Sequence, residues 1–330
     1  MKLVIVTGSG RSGTSSVAGT LKRLGLHVPQ PEVEADESNP RGYYEPLWVT
    51  EFHKRLLNPV PVRTIDTRPT AAEVAAAAVT PEAEAELREW LAGVVALGEP
   101  QVVVKDPREF WVHDLWLRVA GALGVEVSTL TMLRHPTEVV RSRDTAYLTS
   151  QSDSFRRQRE TANVAAWVNA AFLTEQATRA HRRAFVPYAD LVSDWRTAMT
   201  RAGDQLGVTY AGALAGPHPV DDFVDVRLNR SQVTWDDITV SPTLRSLADR
   251  TWAAMGTLVT SPHDEAAVAE LAGLQAEYAA MYDEAAAMAS DETQAQVAAV
   301  RRQLKDRLAT KNERIEKLRA ELKALQAPQG

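Results

Sequence analysis

The sequence predicts an α/β protein, with a parallel sheet flanked by helices and a charged helical extension at its C-terminus. Three observations carry that prediction. Short β-branched runs alternate with longer helix-patterned segments, the pattern of a parallel sheet wound on both faces. The first such run passes through a glycine-rich turn straight into a helix. From about residue 290 the composition shifts to Ala, Glu, Lys, Arg and Leu, with no Gly or Pro until Pro328. At 330 residues the chain can enclose one large core. We place the α/β domain at residues 1–288 and the extension at 289–330.

Taken in order, residues 3–7 read as a buried strand, 8–15 as a Gly/Ser/Thr turn, and 14–25 as a helix. Val17, Leu21 and Leu24 supply the helical spacing and Gly25 the stop. Residues 29–46 read as a long polar loop that carries Tyr43 and Tyr44, with Trp48 just beyond; such loops inside compact domains are commonly functional. Residues 71–96 read as helix broken at Pro81, and Val102–Val104 as a second strand ending in Lys105-Asp106-Pro107-Arg108. A helix over 112–122 precedes a third strand at 126–133. After Arg134-His135-Pro136 a further helix begins, with Thr137 as its expected cap. A long helix over 155–182, a strand at Phe185–Tyr188 and a helix over 190–206 follow. In parallel sheets ligands gather beyond the carboxyl ends of the strands, where the loops at 8–15, 105–109 and 134–142 fall.

Composition narrows the function classes. The absence of cysteine excludes disulfides, thiolate zinc sites and a cysteine nucleophile, and the histidines show no ligand spacing, so no metal is expected. The net charge of −6 argues against a nucleic-acid partner. No apolar run is long enough to span a membrane, and the entry Met1-Lys2-Leu3 lacks a secretory pattern, so a cytoplasmic protein is the expectation. In the extension, Leu304, Leu308, Ile315, Leu318, Leu322 and Leu325 recur at spacings of three and four, with Lys311 interrupting the seam. That repeat reads as a coiled-coil helix. A homodimer through it is the expectation, and docking to a partner or an acidic surface the alternative.

Gly8-Ser9-Gly10-Arg11-Ser12-Gly13-Thr14-Ser15 is the first segment with chemistry in it. Glycines let successive backbone N–H groups turn inward, and the following helix N-terminus adds positive potential, which together suit a bound anion. Arg11 adds a fork matched to phosphate or sulfate oxygens. The spacing is that of a P-loop NTPase fold, but the lysine position holds Thr14, which removes the usual contact to a transferred γ-phosphate. Gly8, Gly10 and Gly13 also match a dinucleotide fingerprint, but no acidic residue ends a second strand about twenty positions on, where His27 to Gln30 stand. The second segment is Arg134-His135-Pro136 through Arg143: Arg134 at a strand end and Ser142 two helical turns later can grip one phosphate, or can be a sheet-edge arginine and a polar helix face.

Together these segments resemble the sulfotransferase family that uses 3′-phosphoadenosine 5′-phosphosulfate (PAPS). Arg11-Ser12-Gly13-Thr14-Ser15 is similar to the family's 5′-phosphosulfate loop, and Arg134 with Ser142 to its 3′-phosphate motif. Asn39 through Glu45, Lys105 through Arg108, and Phe185 through Leu191 resemble further segments, so the likeness spans about residues 1–235.

The resemblance implies a PAPS-dependent sulfotransferase, with PAPS as co-substrate, 3′-phosphoadenosine 5′-phosphate as product, and no metal. Its acceptor would be a small molecule, glycan or lipid-like compound. Gly10, Arg11, Ser12, Gly13, Thr14 and Ser15 would hold the 5′-phosphosulfate, and Arg134 and Ser142 the 3′-phosphate. Arg227 and Arg230 either close over the 3′-phosphate or are solvated charges. For the base, Glu45 comes first, at the end of the tyrosine loop, and His53 second; His113 and His135 are further candidates, and Glu45 can equally be a surface residue before Pro46. Lys105 either assists the leaving group or pairs structurally with Asp106 or Glu109. Animal members carry a histidine near Lys105 that is absent here. Of the five aromatics Trp48, Phe52, Trp111, Trp116 and Trp167, Trp48 is the one placed to line an acceptor pocket. The competing readings are a P-loop-type small-molecule kinase, for which Asp106 is the one candidate magnesium ligand, and a non-catalytic nucleotide-binding scaffold acting through the C-terminal helix.

Overall fold

The computed structural model describes residues 1–37, 39–144, 152–225 and 233–325. It divides into two compact units, Met1–Tyr278 and Ala279–Gly330. Among the described residues of the first unit, four strands form one sheet: β1 (Lys2–Thr7), β2 (Gln101–Lys105), β3 (Glu126–Leu133) and β4 (Arg182–Pro187), all parallel, in the order β2-β1-β3-β4. In β1, Leu3 and Ile5 face one apolar layer and Val4 and Val6 the other, and all four are fully buried. That is why this strand reads as a continuous apolar run, as parallel strands covered on both faces do.

One layer is covered by α1 (Thr14–Arg23), α8 (Tyr188–Ser193) and α9 (Trp195–Leu206), through Val17, Leu21, Leu191, Trp195 and Met199. The other is covered by α2 (Leu47–Leu57), α4 (Pro81–Ala96) and α5 (His113–Ala122), through Phe52, Leu87, Leu91 and Trp116. The short α3 (Ala71–Ala76) precedes α4. The chain leaves β1 for β2 on one side and returns to β3 on the other, so the reversal falls between β1 and β3, where doubly wound sheets open a crevice.

Several expected boundaries move, each for a local reason. The break at Pro81 is a true helix start: Pro81 occupies the first turn of α4 and the Thr80 hydroxyl accepts from the Ala83 N–H at 3.2 Å. Thr137 is not a cap. Pro136 already opens α6 (Pro136–Asp144), and the Thr137 hydroxyl donates to the Val233 carbonyl at 2.7 Å. The long helix α7 (Asp153–Thr178) ends four residues before the expected 182, and β4 begins there. The segment expected as one helix over 190–206 is α8 and α9, separated at Asp194, whose carboxylate accepts from the Thr197 N–H at 3.2 Å. Two long helices follow, α10 (Pro242–Thr260) and α11 (Glu265–Met288). In the second unit α12 (Ser290–Leu325) is a single helix of 36 residues. Among the described residues no helix is long and apolar enough to cross a membrane.

A histidine pair lies against the sheet between α5 and β4. His113 Nε2 sits 3.3 Å from His181 Nε2, and His181 Nε2 is 2.7 Å from the Thr129 hydroxyl. Burial, with the charges of His113, Arg183 and His263, pushes His181 down to about 4. Burial also acts to lower His113, but the neighbouring Glu109 carboxylate outweighs it and holds it above its ordinary value. The pair therefore keeps its proton on His113, beside Glu109. An unfolded chain protonates His181 near its ordinary 6.5, whereas the folded protein refuses that proton down to about 4. Stability contributed here is present above that window and is lost as pH falls through it. We predict that the thermal midpoint falls between pH 7 and pH 4.5, and that His181→Gln flattens that fall; an unaltered slope in the variant would refute the assignment.

Candidate active site

All four strands deliver residues to one edge of the sheet. Beyond β1 lies the glycine loop, at the end of β2 Lys105 followed by Asp106, beyond β3 Arg134, and beyond β4 Tyr188. The loop backbone is unusual where chemistry would need it. Gly8, Arg11 and Gly13 all have positive φ, at 130°, 75° and 94°. For Arg11 that conformation is disfavoured by its side chain and is held by surrounding contacts. Gly13 caps α1 without any side-chain hydrogen bond, which leaves the first-turn N–H groups uncapped by a side chain. The Ser12 hydroxyl is buried beside them without a protein partner. A buried orphan hydroxyl at an uncapped helix N-terminus fits an anion such as phosphate or sulfate.

Arg11 is where the two sequence motifs meet. Its carbonyl accepts from Arg134 Nη1 at 3.2 Å, and its own Nε donates to the Ser142 hydroxyl at 3.1 Å. Arg143 Nη2 donates to the Gly10 carbonyl at 3.3 Å. The expected residues Gly10, Arg11, Ser12, Gly13, Thr14, Ser15, Arg134 and Ser142 thus fall on the loops after β1 and β3 and on the helices that follow them, the first turn of α1 and α6. Arg134 is nearly buried and its Nε donates to Glu138 at 2.9 Å, one helical turn on. Its guanidinium stacks 4.6 Å from the Tyr188 ring centre, and its backbone carbonyl accepts from the Trp167 indole at 3.1 Å. Burial raises the Tyr188 phenol, against the opposing pull of the Arg134 charge. Arg227 and Arg230 lie outside the described residues.

Glu45 and Lys105 form a buried ion pair, so the carboxylate that Lys105 meets is Glu45 and neither of the alternatives Asp106 and Glu109. Both neighbours are otherwise engaged. Asp106 accepts from the Arg108 N–H at 2.8 Å and from its guanidinium at 2.7 Å, while Glu109 pairs with His113. Glu45 Oε2 also accepts from the Thr50 hydroxyl at 3.1 Å, and Lys105 Nζ reaches the Ser15 hydroxyl at 3.4 Å. A chain of polar contacts therefore runs from Glu45 through Lys105 to the first turn of α1. Glu45 is not the surface residue that its place before Pro46 allows.

The other candidate bases sit elsewhere. His53 is fully buried, and its Nε2 accepts from the Trp116 indole at 3.0 Å; indole donates only, so that nitrogen carries no proton and is already occupied. Its Nδ1 lies 3.1 Å from Asp106 Oδ1. Burial alone would raise Asp106, but His53 and Arg108 outweigh it and hold the carboxyl low. His135 rests edge-on against Trp235 and Trp252, and His113 belongs to the histidine pair. Tyr44 of the polar loop packs into the core against Gly19 and Phe223, with ring centres of Tyr44 and Phe223 5.5 Å apart. Trp48 stacks with both Phe52 and Trp90, at 4.9 and 4.8 Å. Among the described residues no group of three His, Asp or Glu is placed to hold a metal ion.

Glu138 and Thr50 complete this site without having been singled out, while Trp167 was named only among the aromatics and Tyr188 only within the Phe185–Leu191 segment. Glu138 alone could have been paired from sequence, since it stands four residues after Arg134 on a helix.

No protein-family model matches the chain, and no curated protein matches it by sequence. Among solved structures it is similar to the sulfotransferase domain from the Synechococcus PCC 7002 olefin synthase, at 18% identity and a TM-score of 0.44, over 78% of this chain and 94% of that one. It is also similar to the sulfotransferase domain from the curacin biosynthetic pathway, at 16% identity and a TM-score of 0.41, over 77% of this chain and 97% of the other.

Proposed function

We propose that this protein is a PAPS-dependent sulfotransferase. The observation that carries the proposal is the convergence on Arg11, whose carbonyl is held by Arg134 and whose guanidinium is held by Ser142. A loop of phosphate-binding shape, with Thr14 where a nucleoside triphosphatase needs lysine, is thereby joined to a second cationic position. One anion site suits many ligands; two joined sites suit a donor with phosphate at both ends.

PAPS supplies an activated sulfuryl group on its 5′-phosphate. In this assignment the loop amides from Ser12 to Ser15 and the Arg11 guanidinium hold that phosphate and receive the charge that develops on it. Arg134 and Ser142 orient the 3′-phosphate. Because Arg134 also holds Glu138, its grip on the ligand is shared with that carboxylate. The acceptor oxygen or nitrogen attacks sulfur, the bond between sulfur and the bridging oxygen breaks, and its electron pair leaves on the 5′-phosphate. Glu45 takes the acceptor's proton, with Thr50 and Lys105 fixing its two oxygens. Lys105, at the Ser15 hydroxyl, adds positive charge on the leaving-group side. The acceptor is a hydroxyl or amine of a small-molecule, glycan or lipid-like compound. The engagement of Asp106 with Arg108 and His53 weighs against its use as a magnesium ligand, and so against the kinase reading.

The test is calorimetry of PAPS binding without added metal, on the intact protein and on Arg11→Ala and Arg134→Ala. Each charge-assisted contact is worth about 1.5–3 kcal/mol, so each variant is expected to bind roughly ten- to a hundredfold more weakly, with ATP much weaker than PAPS throughout. Absence of PAPS binding by the intact protein would overturn the proposal.

A further inference from the structure

The helix α12 carries an apolar stripe and an uneven distribution of charge around it. Val297, Leu304, Leu308, Ile315, Leu318 and Leu322 are between 44% and 60% exposed, so nothing among the described residues covers them. They fall on one heptad register. Leu308, Ile315 and Leu322 share its first core position with Arg301, and Val297, Leu304 and Leu318 share its second with Lys311. The positions flanking this seam are Lys305, Arg307, Asn312, Arg314, Arg319 and Glu321, four cations against one anion. The remaining acids of this stretch, Asp306, Glu313 and Glu316, lie on the outer face. The outer face balances these three acids with Arg302, Lys317 and Lys323, while the face that must be covered is basic.

That arrangement opposes self-pairing. In a parallel pair of copies, Arg301 and Lys311 would each meet themselves in the seam, and Arg314 would face Arg319 of the other copy on both sides. An antiparallel pair centred near residue 313 gains Arg307 against Glu321 twice, but sets Lys305 against Arg319 twice and Arg314 against itself. Like charges directly opposed favour a different partner. We propose that α12 is a docking helix for an acidic heptad helix of another protein, with an apolar seam, glutamate or aspartate at its flanks, and acids opposite Arg301 and Lys311. Those two seam cations then set register, as single polar core positions do in coiled coils. The aliphatic stripe holds no aromatic residue, and it is narrow, which suits a helix seam better than the interface of a membrane. The proposal does not depend on the donor chemistry.

The probe is a synthetic four-heptad peptide with Leu and Ile in the seam, Glu at both flanks and Glu facing Arg301 and Lys311, against the same peptide with Lys in place of every Glu. Fluorescence anisotropy with the full-length protein should show the acidic peptide binding at least about tenfold tighter, and weakening as salt rises. Arg314→Glu with Arg319→Glu should narrow or reverse that preference, a result that loss of folding cannot imitate. The proposal is overturned by equal binding of the two peptides, by no binding of either, or by uptake on phosphatidylserine vesicles in place of the peptide. It is equally overturned if the protein alone sediments as a dimer that Leu308→Asp with Leu318→Asp dissolves.

Discussion

Gly13→Ala is expected to weaken PAPS binding by at least about a hundredfold, more than removal of either arginine, because one methyl group disturbs both halves of the site. At φ 94° the alanine is strained, and its Cβ would overlap the Tyr188 ring. Either the loop lifts, which spoils the N–H cradle at the start of α1, or Tyr188 withdraws. If Tyr188 withdraws, Arg134 loses the ring it stacks on at 4.6 Å. A stability cost of about 1–3 kcal/mol should accompany the change, from strain and overpacking. Gly93→Ala is the matched control. It lies in α4 with nothing within 4 Å of its added Cβ, and should stabilise by about 0.5–1 kcal/mol without touching affinity. Calorimetry and thermal melts on both variants decide the matter, and an affinity for PAPS unchanged in Gly13→Ala would remove the loop from the binding site.

The largest loss of stability is expected from Glu175→Gln, about 3–5 kcal/mol, the usual cost of leaving a buried charge without its counter-ion. Glu175 in α7 and Arg183 in β4 are each about 1% exposed and pair at 3.0 Å. Arg183 also donates to the Glu175 backbone carbonyl at 2.9 Å and to the Pro262 carbonyl at 2.8 Å. A second cation, Arg179, holds the same carboxylate at 2.6 Å. The glutamine variant keeps the shape but faces two guanidinium groups with a neutral amide. Urea denaturation should show a lower midpoint with the slope retained. A loss under about 1 kcal/mol would mean that water already screens the pair.

The sheet was legible because its strands are local and apolar: β3 begins and ends at the expected residues, and β1 and β2 are each within one or two. The helix breaks were less so. Asp194 separates α8 from α9 by a side-chain cap, and nothing in the apolar spacing marks it. In the site, the motifs around Arg11 and Arg134 were readable because each is contiguous in sequence. The pairing of Lys105 with Glu45 was not, since the two are 60 positions apart and Lys105 has closer acids on either reading of the chain. Which acid it takes depends on Arg108 and His113 having claimed Asp106 and Glu109 first. Competition of that kind is settled by three-dimensional packing. His53 looked like a base for the same reason: sequence displays an imidazole but not the indole that occupies it.

The position of Tyr188 has a consequence for how the protein matures. It stands just after β4, the last strand among the described residues to be synthesised, yet it closes over Gly13 from the first loop and Arg134 from just beyond β3. A nascent chain lacking β4 would have the glycine turn and the arginine but no surface holding them in register. On the proposed function, recognition of the donor would arrive only with completion of the sheet. A ligand that meets only the completed sheet stabilises it by mass action, by about 2.7 kcal/mol at a hundred times its Kd. If the proposed donor binds there, its concentration would set the lifetime of the folded protein.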